Sequence, residues 1–336
     1  MMMTLLLAAA AASAAPQPGE IKTYGDWTVG CDNGWRCQAG SLFPEPQEDD
    51  LFSASTMTIV RDAGAGSQPV IAIDFDDGLS GTETLWIDGQ AIGGGTVNVR
   101  SDSVDYDTQA AMALAAAMLK GSVLEVRNPG GTPIARVSLA GISAALRYMD
   151  DRQQRAGTVS ALVARGSRTA VPLPPPLPVI VVPSGRGPAF AATPAEIANL
   201  RTQSGCAGED GGTLTEEAFA LDGRHTLLLI SCGNGAYNYD SMAYVARHDG
   251  RVIEPASFDF VPGWSQENPA MLVNASFDTA TGRLLSHAKG RGIGDCGMAQ
   301  TMVWDGARFR LVEATEMAEC RGNIDWITTW RAAVRR

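Results

Sequence analysis

The sequence predicts a mainly β protein with a few helices, organised as two β-rich domains joined by a proline-rich linker. Short runs of alternating apolar and polar residues recur along the chain, separated by Asp-Gly, Asn-Gly and Gly-Gly turns. Between Ser167 and Pro188, seven of 22 residues are proline, which is typical of an extended spacer that forms neither a ladder nor a helix. A length of 336 residues, 45% of them hydrophobic, suffices for two cores.

The chain divides into four predicted parts. Residues 1–15 are predicted to be an export signal, because an apolar run within them is followed by small residues suited to peptidase cleavage. The first domain covers residues 20–166, the linker 167–188 and the second domain 189–336. No later segment has the roughly 18 to 20 apolar residues needed to cross a bilayer. We therefore expect a periplasmic or secreted protein with no membrane span after signal removal.

The charge balance limits the choice of partner. Thirty-seven acidic and 26 basic residues give a formal net charge of −11. Because a negative surface repels phosphate backbones and anionic lipids, nucleic acid is an unsuitable partner. We expect the partner to be an envelope protein or a cell-wall component.

Six cysteines in an exported chain predict disulfides rather than a metal site or a catalytic thiol. Sequence proximity and the domain division favour three pairs among the possible ones, namely Cys31 with Cys37, Cys206 with Cys232, and Cys296 with Cys320. No Cys-x-x-Cys motif occurs, and no histidine has a cysteine or histidine close by in the sequence. We therefore expect no metal and no cofactor.

The first domain is predicted to be mostly strands. Trp27, Val29 and Cys31 alternate with polar or small residues, which indicates a half-buried strand at the start of a disulfide-linked hairpin. The almost uniformly apolar segment 108–120 predicts a helix buried on all sides. Two further helices, over 142–154 and 159–165, are expected to close the domain.

An acidic turn, DFDDG at 74–78, has some features of a calcium loop. The helix-flanked calcium signature requires glycine at its sixth position and glutamate at its twelfth, where this chain has Leu79 and Leu85. That signature therefore fails. A looser calcium site stays open beside the simpler interpretation, a strand that ends in an acidic turn.

Three motifs of the first domain resemble a known family. They are GDWTVGC at 25–31, MLKG at 118–121 and VSLAGISAAL at 137–146. These motifs are similar to those of the invasion-associated locus B family of exported bacterial proteins. The resemblance covers residues 20–150, implies a β-sandwich with a packed helix, and supplies no catalytic residues.

The second domain is predicted to start with a helix and continue as hairpins. Thr193 and Glu196 form a capping-box pattern around Pro194, which predicts a helix that runs to Ser204 and stops at Gly205. Four turn motifs related to Asp-Gly-Arg then recur at 222–224, 249–251, 281–283 and 305–308. Turns flanked by apolar runs indicate hairpins. We expect an antiparallel meander of about eight strands, packed as a sandwich, barrel or propeller.

Three glycine-containing stretches, at 232–239, 291–297 and 320–322, fall between these hairpins and are expected to cluster at one end of the domain. One hypothesis is that backbone amides and two arginines there bind a carboxylate or a glycan. Its predicted binding residues are Arg291, Gly292, Gly294, Asp295 as an available acceptor, Arg321, Tyr237 and Asn238. The structural alternative is a glycine-rich turn fixed by a disulfide.

Motifs in these stretches carry a second and closer resemblance. They are GAYN at 235–238, GRGIGDCG at 290–297, WDG at 304–306, CRG at 320–322 and WRA at 330–332. They resemble the bacterial family filed as domain of unknown function number 1176, over nearly the whole mature chain. Membership of that family implies no activity.

We recognise no known catalytic pattern in the sequence. The G-x-G-x-x-G pattern at 292–297 serves dinucleotides only where a helix follows, whereas 298–304 predicts a strand. The sequence contains no nucleophile elbow, zinc-protease motif or lone cysteine paired with histidine. Candidates for a paired-carboxylate mechanism are Asp240, Asp259, Asp278, Asp295 and Glu319.

Three functions from different classes follow. The preferred one is a non-enzymatic envelope protein that binds its partner through the glycine-rich loops, with no catalytic residue assigned. The alternatives are a carboxylate-dependent hydrolase acting on cell-wall material and a structural or assembly protein of the periplasm. Exposed aromatic side chains at Tyr237, Tyr239 and Trp264 favour binding, whereas two carboxylates facing each other in a deep cleft favour hydrolysis.

Overall fold

The computed structural model describes residues 15–45, 55–75, 83–92, 97–99, 103–106, 108–206, 215–263 and 268–336. The predicted export signal lies almost wholly outside these stretches, as do Trp264 and residues 76–78 of the acidic turn. Among the described residues, no helix has the length and apolar character needed to cross a membrane.

The first half contains, in chain order, β1 (Ile21–Tyr24), β2 (Trp27–Cys31), β3 (Cys37–Ser41), β4 (Ser55–Arg61), β5 (Pro69–Phe75), β6 (Thr84–Ile87), β7 (Gln90–Ala91), β8 (Val97–Val99), β9 (Ser103–Tyr106), α1 (Thr108–Met118), β10 (Val123–Arg127), β11 (Pro133–Ser138) and α2 (Ile142–Arg152). The strands form two antiparallel sheets. The larger has the order β1-β2-β3-β4-β5-β9-β8, and the smaller β11-β10-β6-β7.

Both sheets and α1 contribute to one hydrophobic core. Strand alternation sends every second side chain to the same face, and this places Trp27, Ile73 and Leu124 in the core with no exposed surface. Leu114 of α1 packs against the same core. The Trp27 indole N–H donates to the Ser138 carbonyl at 2.9 Å, so the polar atom of this buried ring is satisfied. The predicted β-rich first half with a packed helix is confirmed.

Helix α1 is less enclosed than predicted. It ends at Met118, and Ala113 and Ala116 are exposed while Leu114 and Met118 are buried. An alanine methyl group adds little apolar area, so an alanine face can contact water at small cost. The expected burial on all sides is wrong for this reason.

The helix expected at 159–165 does not form. The buried carboxylate of Asp150 accepts hydrogen bonds from the amides of Leu162, Val163 and Ala164 at 2.8, 2.8 and 3.1 Å. These amides are bound by a side chain and not by carbonyls one helical turn earlier, so the segment folds as turns.

The second half contains β12 (Val179–Val181), α3 (Pro194–Ser204), β13 (Glu216–Ala220), β14 (His225–Asn234), β15 (Tyr239–Arg247), β16 (Val252–Pro255), β17 (Met271–Val273), β18 (Ser276–Asp278), β19 (Arg283–Lys289), β20 (Gly297–Trp304), β21 (Phe309–Met317), β22 (Ile327–Arg331) and β23 (Ala333–Arg335). One sheet has the order β13-β14-β15-β16, with β17 also paired to β15. The other has the order β18-β19-β20-β21-β22.

The predicted hairpin turns are confirmed, and so is α3 with its capping box. The four motifs connect β13 to β14, β15 to β16, β18 to β19 and β20 to β21. Apart from β12 and β23, the strands divide between these two sheets and do not continue as one meander. Leu229 and Leu272 of the first sheet share a core with Leu284 and Met302 of the second. Of the three packings that the sequence allowed, the sandwich is the one observed.

The proline-rich stretch contains a strand. Residues 179–181 form β12, which pairs in parallel with β23, and Ile180 is buried against Val303 and Val312. Four consecutive non-proline residues follow Pro178, so their backbone N–H groups are available for pairing. The expectation that this stretch forms no ladder is therefore wrong.

The two halves are in direct contact. Arg331 on β22 forms an ion pair with the buried Asp32 carboxylate, and the Thr58 hydroxyl donates to Asp325 at 2.6 Å. The Asn323 side-chain amide donates to the Ser41 carbonyl at 2.8 Å. Two domains held apart by a spacer do not describe this packing, although the domain boundaries themselves stay a prediction.

Candidate functional site

Three connections on the second half meet and form what we call the loop cluster, residues 234–239, 290–297 and 320–326. They join β14 to β15, β19 to β20, and β21 to β22. The Asp-Gly-Arg turns connect the opposite ends of the same strands. Antiparallel hairpins alternate their connections between the two ends of a sheet, which is why these stretches come together. All seven predicted binding residues lie in the loop cluster.

Tyr237 and Asn238 attach the first loop to the second. The Tyr237 hydroxyl donates to the Gly290 carbonyl at 3.0 Å. The Asn238 side chain donates to the Lys289 carbonyl at 2.9 Å and accepts from the Lys289 amide at 3.1 Å. Both side chains therefore have structural partners within the protein.

Asp295 is the central acceptor of the cluster. It has no exposed surface, and its two carboxylate oxygens accept from Arg291 Nε at 2.7 Å and Nη2 at 2.5 Å. The amide of Gly322, in the third loop, donates to the same carboxylate at 2.7 Å. Burial by itself raises the pKa of Asp295, but the Arg291 guanidinium and the Gly322 amide outweigh it, so the pKa lies below its ordinary value. Asp295 is thus occupied inside the protein, and the expectation of an available acceptor is wrong.

Arg321 connects the loop cluster to the first half. Its Nη2 atom donates to the Asp26 carboxylate at 2.5 Å, and its Nε atom donates to the Phe43 carbonyl at 2.7 Å. Arg291 and Arg321 are therefore both neutralised by carboxylates of this chain. The structure brings the predicted residues together, but as an internally paired network.

A disulfide and an indole complete the network. Cys296 is bonded to Cys320, which joins the second loop to the third, and the Trp326 indole N–H donates to the Gly294 carbonyl at 3.1 Å. His287 contacts Trp326 edge-on, with ring centroids 4.7 Å apart. Burial, and secondarily the nearby Lys289 charge, lowers the pKa of His287. All three predicted disulfides are present.

Sequence reasoning missed two residues of the cluster. Ile293 is 71% exposed and Ile324 is 66% exposed, and Tyr239, also in the loop cluster, is 56% exposed. Ile293 stands between two glycines, and Ile324 lies outside any apolar run. The signal that could have identified them is a large apolar residue in a turn segment whose sequence has neither strand nor helix periodicity. Trp264, whose exposure would favour binding, is outside the described residues.

The five candidate carboxylates have different surroundings. Asp259 pairs with Arg310, and Asp278 caps the β18–β19 turn through Thr281 at the opposite end of the sheet. Asp295 is buried and paired, as described, and Glu319 accepts from the Thr23 hydroxyl. Burial raises the pKa of Asp240. Within the described stretches, no group of three His, Cys, Asp or Glu side chains is placed to hold a metal.

The fold and the cluster define a β-rich chain with three disulfides and a glycine-loop network built between its strands. Its sequence matches, over residues 21–333, the family described as "Protein of unknown function (DUF1176)", and the chain belongs to that family. A protein of Escherichia coli (strain K12) described as "Uncharacterized protein YpfG" is 28% identical over 337 residues, with 92% of each chain covered. No solved structure matches.

The family match confirms the resemblance carried by the loop motifs. The resemblance of the first half to the invasion-associated locus B family stays a prediction. The three disulfides indicate that the chain folds in an oxidising compartment, outside the reducing cytosol.

Proposed function

We propose that this protein is a non-enzymatic binding module of the bacterial envelope, and that the loop cluster is the surface that contacts its partner. The observation that carries the proposal is the exposure of Ile293, Ile324 and Tyr239 on loops that are otherwise fixed in place. Exposed large apolar side chains on a fixed scaffold are typical of interaction surfaces.

The rigidity of the loops supports this function. The Cys296–Cys320 disulfide, the Gly322–Asp295 hydrogen bond and the Tyr237–Gly290 hydrogen bond each connect two loops of the cluster. A surface that is already ordered loses little conformational entropy on binding, so more of its contact energy appears as affinity. Loops that served only as connections would not need three cross-links around exposed isoleucines.

The chemistry of the surface favours a protein partner. Isoleucine offers no hydrogen bond to a sugar or a carboxylate, and both arginines of the cluster have carboxylate partners in the chain. Binding of an apolar patch on another protein uses the exposed side chains directly. A cell-wall component is the alternative, which Tyr237 and Tyr239 would contact by stacking. The predicted export signal and the disulfides support a periplasmic location for either partner.

A double variant of the loop cluster and a matched surface control test the proposal. The mature protein, the double variant Ile293→Asp with Ile324→Asp, and Leu173→Asp are immobilised and exposed to an envelope extract and, separately, to purified peptidoglycan. Leu173 is a matched control because it is 86% exposed and lies in the proline-rich stretch. We expect one envelope protein retained by the mature protein and by Leu173→Asp but not by the double variant. Equal retention by all three would reject the proposal, and retention of peptidoglycan alone would favour the cell-wall partner.

A further inference from the structure

A second surface lies away from the loop cluster, between helix α3 and strand β13. It is a groove of about 450 Å³. Its floor and walls are mainly apolar, with Phe190, Ile197, Leu228 and Ala218 among the lining side chains. Helix α3 covers the outer face of the sheet above β14 and leaves this groove on the side towards β13.

Strand β13 forms an edge of its sheet and pairs only with β14. The Thr215 carbonyl accepts from the Ser231 amide at 3.0 Å, and the Leu221 amide donates to the His225 carbonyl at 2.9 Å. Hydrogen-bonding residues alternate along an antiparallel pair, so the backbone groups of Glu216, Ala218 and Ala220 point away from β14. Among the described residues, nothing hydrogen-bonds to these outward groups.

The groove is held at a fixed width. The Cys206–Cys232 disulfide ties the chain just beyond α3 to β14. At the other end of the helix, Arg251 forms an ion pair with Glu196 at 2.7 Å. Arg201 reaches from α3 to the Thr215 carbonyl at 3.2 Å. Since both ends of α3 are anchored, a ligand meets a preformed groove and no helix has to move.

The charge at the groove indicates what it binds. Glu216 and Glu217 are both exposed on β13. Glu216 shares the groove face with Ala218, whereas Glu217, paired with Leu229, lies on the other face of the strand. Arg201, the one cation among the lining residues, already pairs with Glu216 at 3.0 Å. The remaining charge along this edge is therefore that of Glu217, and it attracts a cationic side chain on the corresponding face of an added strand.

We propose that β13 accepts an additional strand from a partner, an extended peptide segment with alternating apolar side chains and at least one lysine or arginine. Its backbone pairs with the outward groups of β13, and its apolar side chains enter the groove beside α3. Its cation, on the opposite face of the added strand, pairs with Glu217. Main-chain pairing supplies affinity and the side-chain groove supplies selectivity in this mode of recognition. The surface is independent of the loop cluster.

To test the proposal, short random peptides are selected for binding to the mature protein. The affinities of the selected peptides for variants are then measured. Ala218→Pro removes an outward N–H group, and proline is tolerated in an edge strand where that group faces solvent. Glu217→Lys reverses the charge along this edge. Glu254→Lys is the matched control, because Glu254 is an exposed glutamate on β16, the opposite edge of the same sheet. Ile293→Asp reports separately on the loop cluster.

We expect selected peptides to be alternating and basic, and to bind Ala218→Pro and Glu217→Lys at least roughly tenfold more weakly than the mature protein. Their affinity for Glu254→Lys and Ile293→Asp should be unchanged. Failure to select any peptide, or full affinity for both Ala218→Pro and Glu217→Lys, would overturn the proposal. If thermal unfolding shows that Ala218→Pro does not fold, the contrast between Glu217→Lys and Glu254→Lys decides alone.

Discussion

At the scale of single residues, the Asp295 carboxylate joins the second loop of the cluster to the third. It has no access to solvent and accepts from Arg291 and from the Gly322 amide. A buried carboxylate that loses its cation is left uncompensated, whereas a half-exposed arginine that loses its carboxylate can return to water. The two partners of this ion pair are therefore not equivalent.

Arg291→Ala should lower the free energy of unfolding by about 2–4 kcal/mol, and Asp295→Asn by about 1–3 kcal/mol. The larger loss is expected for Arg291→Ala because it leaves the buried carboxylate without its cation. Urea denaturation measures both values. Asp249→Asn is the matched control, since its ion pair with Arg247 is exposed and worth less than about 1 kcal/mol. A greater loss for Asp295→Asn than for Arg291→Ala would contradict this account of the pair.

The stability of the protein should depend on pH through His287. Its pKa is lowered in the folded state from the ordinary value of 6.5, so the unfolded chain takes up the proton more readily. The stabilisation is complete above pH 6.5 and is lost as pH falls towards the folded pKa. We expect the unfolding free energy of the mature protein to fall more steeply below this pH than that of His287→Gln. Parallel curves for the two proteins would show that His287 contributes nothing to the pH dependence.

Part of the site was predictable at this scale. The disulfide pairs and the glycine-rich turn follow from residue type and spacing, and the structure confirms the pairs. The contact of Asp295 with the third loop was not predictable, because its partner there, Gly322, is far away in the sequence and offers only a backbone amide. A sequence shows which residues carry charge but not which charges are neutralised in the fold.

At the scale of elements, short sequence motifs predicted the turns and the start of a helix better than they predicted the secondary structure of the segments between the turns. The capping box fixed the start of α3, and the Asp-Gly-Arg motifs fixed four hairpins, because each depends on neighbours within a few residues. The segment 159–165 was misassigned because Asp150, outside it, binds its amides. Strand β12 was missed because its partner β23 is at the far end of the chain.

Removal of the Cys296–Cys320 disulfide by double replacement with alanine should cost about 3 kcal/mol of unfolding free energy. Removal of the Cys31–Cys37 disulfide should cost less, about 2 kcal/mol, because loop-closure entropy grows with the length of the closed loop. The sequence separations are 24 and 6 residues. Chemical denaturation under non-reducing conditions gives both values. An equal or larger loss for the shorter loop would mean that contacts other than loop closure dominate.

At the scale of the whole molecule, the two halves share a contact surface that the linker composition did not reveal. The third connection of the loop cluster and strand β22 carry this surface, through Arg321 with Asp26 and Arg331 with Asp32. The same segment therefore supports the loop cluster and joins the halves. The proline content predicted an extended stretch. The path of that stretch depends on long-range packing, which composition does not encode.

The two halves should unfold together. Arg331→Ala leaves the buried Asp32 carboxylate with only the amides of Gly34 and Arg36 as partners, and should cost about 1–3 kcal/mol. Hydrogen exchange followed by mass spectrometry across a urea series reports on each half separately. Peptides from both halves should lose protection at the same urea concentration, and Arg331→Ala should lower that concentration for both. Arg335→Ala, with an exposed side chain, is the control, and separate transitions in the mature protein would show that the halves are independent.

The most direct test of the binding role places a photo-crosslinking amino acid at position 293, 324 or 173 in the full chain, expressed in the bacterium that makes it. Positions 293 and 324 lie in the loop cluster, and 173 is equally open but distant in sequence. The account predicts one crosslinked partner shared by positions 293 and 324 and absent at 173. No crosslink at either loop position, or the same products at all three positions, would contradict the assignment of the loop cluster as the partner-binding surface.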